Sequence, residues 1–172
     1  MQPLPWRSSC EASEKRLRSN VTGGAGCGLL NVDVVRCGTG GAVLEGGDRQ
    51  TLTEAGHFVV DSRLRDSNRW VMSYAPLVLM AGVGQRVEGS VLSDAPHTAV
   101  FAQGNSHRLL RSTVRDVVQQ CDDCGACERH FLGLIALAVS VLYSRSDCRG
   151  HCTCAEATVE RDCRSDCTVY VD

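Results

Sequence analysis

The sequence predicts an all-β solenoid, a parallel β-helix of about four coils, and three observations carry that expectation. First, the segments HFVVDSRLRDSNRW from 57, QRVEGSVLSDAPHT from 85 and HRLLRSTVRDVVQQ from 107 fall into register. Second, the alignment stacks like on like. Val59, Val87 and Leu109 share one apolar column and Leu64, Leu92 and Val114 another, with Ser62, Ser90 and Ser112 in a third and Asp66, Asp94 and Asp116 in a fourth. Third, each copy is a short apolar run with β-branched residues, followed by Gly, Asn, Asp or Pro, the pattern of strand and turn. Repeats of this length cannot bury an apolar face singly and must stack. A helical solenoid is excluded, because the intervals are rich in glycine and hold no sustained 3.6-residue period.

Taken in order, residues 1–22 are polar with two early prolines and read as an arm or cap. The coils are expected over 23–128. Their first copy, LLNVDVVRC, is expected to place Leu30 and Val35 in the two apolar columns, so that successive intervals are 29, 28 and 22 residues. Each coil holds a further strand, in GGAVLEGG from 40, PLVLMAGVG from 76 and TAVFAQGN from 98. The longer intervals imply insertions at 47–56 and 67–75, and insertions in a solenoid gather as loops on one face, often the binding face. The serine column is expected either to bond along the stack or to be ordinary turn serines. From 129 to 172 the chain changes character. The run FLGLIALAVSVLY, 131–143, is too short for a membrane span, and a helix capping the open end of the coil is the better reading.

Net charge is −2 over 172 residues, which excludes an electrostatic case for nucleic acid or an anionic membrane. Lys15 is the single lysine. Of 11 cysteines, eight lie at or after Cys121. The spacing Cys121-x2-Cys124-x2-Cys127, followed by Cys148, His151 and Cys152, allows a zinc or iron–sulfur reading without matching a full zinc-ribbon or ferredoxin pattern. No metal ligand is assigned. A disulfide- or metal-stabilised cysteine-rich protein is thus one alternative for the whole chain. The text after Cys127 also reads like a shifted frame or a misjoined exon. The opening residues show no apolar signal segment, so compartment stays open, extracellular if the true start lies upstream.

The stretches GGDRQTLTEAG (46–56), RW (69–70), SYAPLVLMAGVGQRVEGSVLSDAPHTAVFAQGNSH (73–107) and the acidic pair Asp122–Asp123 before Gly125-Ala126 resemble a known group. About three-fifths of the chain, residues 23–126, resembles the right-handed parallel β-helix proteins of the pectate-lyase-like superfamily, of the glycoside hydrolase and polysaccharide lyase type. The resemblance implies a right-handed coil, a polysaccharide partner, a monomer and carbohydrate chemistry with no organic cofactor, a divalent cation such as calcium being compatible. This sequence departs from the pattern at Ser62, Ser90 and Ser112, where asparagine is usual, and at Ser106, where aspartate is usual. The pattern breaks at Cys127, and the family's members are several times longer, so the chain is expected to be a fragment of such an enzyme.

Successive coils line up side chains about 5 Å apart, which brings together residues far apart in sequence. Asp94, His97, His107, Asp122 and Asp123 are the candidate catalytic groups. Carboxylates near a histidine can run general acid/base cleavage of a glycosidic bond, or hold a hard cation against a uronate while a base takes a proton. Asp94-Ala95-Pro96 also reads as a plain turn with His97 packed on Pro96. Asp48, Arg49, Trp70, Tyr74 and Asn105 are the candidate sugar-binding groups, the aromatics by stacking. Two readings follow: a carbohydrate-active hydrolase or lyase, and a non-catalytic glycan-binding coil. They separate on whether the candidate catalytic groups converge in one open groove.

Overall fold

A computed structural model describes residues 6–9, 18–120, 125–130, 135–142 and 157–158, with side chains placed over 18–120 and 125–127. Every regular element among them is a strand. In chain order these are β1 (Trp6–Ser9), β2 (Ser19–Thr22), β3 (Gly28–Leu30), β4 (Val32–Val35), β5 (Ala42–Gly46), β6 (Phe58–Val60) and β7 (Arg63–Arg65). They continue with β8 (Val78–Val83), β9 (Arg86–Glu88), β10 (Val91–Ser93), β11 (Val100–Asn105), β12 (His107–Arg115), β13 (Cys127–His130), β14 (Ile135–Leu142) and β15 (Ala157–Thr158). All ladders between them are parallel, which requires that the chain cross over between neighbours. It does so by winding.

Each coil contributes three strands. The first goes to a five-stranded sheet ordered β13-β11-β8-β5-β2, and the other two go to separate arms of a ten-stranded sheet. In that sheet β3, β6 and β9 stack on the first half of β12, and β4, β7 and β10 stack toward its second half. The result is a right-handed parallel β-helix of roughly four coils. Its interior is one continuous apolar stack that includes Val34, Leu44, Val59, Leu64, Met80, Val87, Leu92, Leu109 and Val114.

The expected columns hold through the last three copies. Val59 pairs Val87 and Val87 pairs Leu109, while Leu64 pairs Leu92 and Leu92 pairs Val114, all six fully buried. The first copy is shifted by one residue from expectation. Leu29, not Leu30, pairs Val59, and Val34, not Val35, pairs Leu64. Leu30 is 60 % exposed as a result. The cause is the corner at Asn31 (φ 53), which places Val32 opposite Ser62 across an interval of 30 residues. A slip of one residue moves a side chain to the other face of its strand.

The narrow corners share one device: a residue with positive φ, then an inward residue whose side chain accepts a hydrogen bond from the preceding coil. At the corner within the ten-stranded sheet the positive-φ residues are Asn31, Asp61, Gly89 and Arg111. The Val32 N–H donates to Ser62 Oγ (3.2 Å), the Ser62 N–H to Ser90 Oγ (3.1 Å) and the Ser90 N–H to Ser112 Oγ (3.2 Å). Each hydroxyl in turn donates to a carbonyl two residues back, Val60, Glu88 or Leu110, at 2.7–2.9 Å. Corner N–H groups turned into an apolar core would otherwise lack a partner, at about 1–3 kcal/mol each. The serine column therefore bonds along the stack.

Of the capping helix expected over 131–143, the described part, Ile135–Leu142, is a strand. β14 pairs with β12 from His107↔Ile135 to Arg115↔Leu142, with a register shift at Arg111, and β13 pairs with β11. Ile135, Val139 and Val141 suit a pleated surface, and a short apolar run shows the same pattern in either state. Among the described residues no helix is long and apolar enough to cross a membrane.

Candidate functional site: the outer face of the five-stranded sheet

Period-two alternation turns Ala42, Leu44, Val78, Met80, Val100 and Ala102 inward, and it turns their neighbours out. Register then builds two outward columns. Val43, Leu79 and Phe101 form an apolar one; Thr22, Glu45, Ala81 and Gln103 form a mostly polar one beside it. The two insertions wall this face. One cleft, about 260 Å³, lies over the apolar column and is lined by Val71, Tyr74 and Ala75 of the second insertion and by Pro76 after it, with Arg18, Thr39 and Gln103. An adjoining and wider cleft, about 630 Å³, is lined by Thr22, Glu45, Gly46, Arg49 and Gly82, and shares Gln103 with the first. Together they make one groove running across the coils.

Gly46, Gly82 and Gly104 stack along one side of this groove. A Cβ at Gly82 would lie 2.0 Å from the Gly46 carbonyl oxygen, and one at Gly104 would lie 2.0 Å from that of Gly82. Only glycine permits this approach at φ 93 and 123. Gly46 and Gly82 consequently present bare backbone to the wider cleft.

Both walls are held at their bases. Asn68, fully buried, accepts from the Gly40 N–H and donates to the Ala75 carbonyl, while the Trp70 N–H donates to Gly38 O at 3.0 Å. This anchored loop exposes Trp70 (55 %) and Tyr74 (92 %), and Tyr74 sits at φ 56 with its ring 5.5 Å from that of His97. The first insertion closes on an Asp48↔Thr53 bridge. It is also tied to β12 by Arg108 and Glu54, at 2.9 and 3.1 Å. The Gln50 N–H, followed by the Thr51 hydroxyl, holds the Asp48 carboxyl below the usual carboxylate value. Asp48 thus serves its own turn, whereas Arg49 lines the groove.

Of the candidate catalytic groups, Asp94 stands exposed at a corner, φ 55, in the column of Asp66 (φ 48) and Asp116 (φ 53), and accepts from the Ser93 hydroxyl at 2.6 Å. His97 is buried behind Tyr74. His107 is fully buried inside the coil. None of the three lines either cleft. Asn105, at the end of β11, is half-buried opposite Val83. Asp122 and Asp123 lie outside the described residues, as do Cys121, Cys124, Cys148, His151, Cys152, Cys154, Cys163 and Cys167. Among the described residues no three His, Cys, Asp or Glu side chains gather as cation ligands.

His107 belongs to a second ladder that the aligned segments carry in their first column. The Cys27 N–H donates to His57 Nδ1 (3.3 Å), the His57 N–H to Gln85 Oε1 (3.0 Å) and the Gln85 N–H to His107 Nδ1 (3.2 Å). With Nδ1 accepting, the His107 proton sits on Nε2, which donates to the Gln103 carbonyl at 3.1 Å. Burial, more than any other influence, pushes the His107 pKa below its unfolded value of 6.5. The neutral ring is therefore the folded form. The unfolded chain binds the proton more tightly, so this contribution to stability is complete above pH 6.5 and is lost as the pH falls toward the folded pKa. Urea midpoints measured between pH 8 and pH 4 should fall toward acid. His107→Gln, which places a Gln85-like acceptor in the column, should flatten part of that slope without breaking the ladder.

No family model, characterised protein or solved structure matches this chain. The coil is established by its own strand pairing.

Proposed function

We propose that the chain is a glycan-binding β-helix, related in design to polysaccharide-degrading enzymes, that lays a sugar strand along the outer face of its five-stranded sheet. One observation carries this reading. The apolar column Val43–Leu79–Phe101 and the polar column Thr22–Glu45–Gln103 run side by side between two anchored loops that present Tyr74 and Arg49. Pyranose rings have apolar faces and polar edges, so a surface divided in this way meets both. Aromatic side chains on rigid loops supply contact area with little loss of freedom. Parallel β-helices are a scaffold often used by carbohydrate-active proteins, and the resemblance in residues 46–107 points the same way.

Binding, rather than cleavage, is the reading the geometry favours. Asp94 sits at a corner and His107 in the interior ladder, and Glu45 is the one carboxylate that lines the two clefts among the described residues, so no acid–base pair faces this groove there. The test is binding of the full chain to a panel of soluble polysaccharides by affinity electrophoresis and calorimetry, with reducing-end release measured in parallel. Tyr74→Ala and Arg49→Ala should each weaken binding about tenfold, which corresponds to ~1.4 kcal/mol. Both residues are exposed, so unfolding midpoints should stay unchanged. Wild-type affinity in both variants would remove the groove from consideration. Release of reducing ends that is abolished by Asp94→Asn would restore the catalytic reading.

A further inference from the structure

The proposed glycan groove is uneven, and its narrower end has a specific chemistry. Resting on that binding reading, we infer that the cleft over Val43, Leu79 and Phe101 is a subsite for an N-acetylated sugar. Its volume, about 260 Å³, falls just below the ~300 Å³ at which pockets for larger organic ligands begin, and so suits a single monosaccharide unit. Its floor is hydrocarbon, and Tyr74 and Pro76 add to the wall. A fully hydroxylated hexose would press more hydroxyls against this floor than Arg18, Thr39 and Gln103 could meet, which is unfavourable. A methyl group would not.

Arg18 at the rim determines what the methyl is attached to. Arg36, Arg65, Arg69, Arg86, Arg108, Arg111 and Arg115 all face an acidic partner. Arg18, like Arg49 and Arg63, makes no ion pair within the described residues, and of these three it alone lines this cleft. An unpaired guanidinium beside an apolar pocket complements a carbonyl dipole attached to a methyl group, and an acetamido substituent joins the two. The Gln103 side chain, shared with the wider cleft, is placed to meet a ring hydroxyl of the same unit.

Ligand-observed saturation-transfer NMR on the full chain provides the test. The probes are methyl glycosides of N-acetylglucosamine and N-acetylgalactosamine, set against those of glucose and galactose. The acetylated pair should bind about tenfold more tightly, the usual discrimination for a methyl-sized group in an apolar pocket, and the acetyl methyl should take up the strongest saturation. Phe101→Ser and Arg18→Gln should each erase the preference, whereas Phe101→Leu should retain most of it. Circular dichroism checks that the variants fold. Equal binding of acetylated and plain sugars would overturn the acetamido subsite and leave glycan binding intact. If the chain bound neither these probes nor any polysaccharide of the panel, both readings would fall.

Discussion

Gly82→Val is expected to destabilise the coil by about 2–5 kcal/mol, the sum of ~1–2 kcal/mol for an L side chain at positive φ and ~1–3 kcal/mol for overpacking. The atom met by the new Cβ is the Gly46 carbonyl oxygen, at 2.0 Å. That oxygen is backbone in the neighbouring coil and cannot rotate away. Gly23→Ala is the matched control, because Gly23 also has positive φ (74) but nothing lies within 4 Å of its would-be Cβ. It should lose only the conformational part, about 1 kcal/mol. Equilibrium urea unfolding of the two variants separates the effects, and equal losses would mean that Gly46, Gly82 and Gly104 are not stacked.

A second large effect tests the register. Leu92→Ala empties a fully buried position between Leu64 and Val114 and should cost about 2–5 kcal/mol. Leu30→Ala should cost less than about 0.5 kcal/mol, as is usual for surface positions, since Leu30 is 60 % exposed. Had Leu30 stacked on Val59, as its place in LLNVDVVRC suggests, the two losses would be alike. The unfolding midpoint of Leu30→Ala is therefore a direct reading of which way β3 faces.

That pair also shows what could be read from the sequence. The columns over residues 57–116 were legible because their serines mark a fixed point in each coil, and apolar residues three before and two after it follow from the pleat. In the first copy the fixed point is Val32, which looks like another strand residue, so the apolar residues alone could be aligned either way. The interior ladder His57–Gln85–His107 stood at the head of the aligned segments. Imidazole and carboxamide look unlike each other, although each offers one acceptor to one N–H, and the likeness of role is visible only in the hydrogen bonds. In sequence, His107 accordingly reads as a group for chemistry at the surface. The groove was half legible. Both insertions and the exposed aromatics Trp70 and Tyr74 could be named, but the stacking of Val43 on Leu79 and Phe101 depends on how long each insertion is and so on the register itself.

The backbone N–H groups that donate to side chains at the two corners all do so one way, from an earlier coil to the next: Cys27 to His57, His57 to Gln85, Val32 to Ser62, Ser62 to Ser90. A ribosome delivers the donors first. Each newly made turn of the solenoid thus holds amide protons that only the next stretch of nascent chain can satisfy. Stopping synthesis early would strand those corner donors in the last coil made.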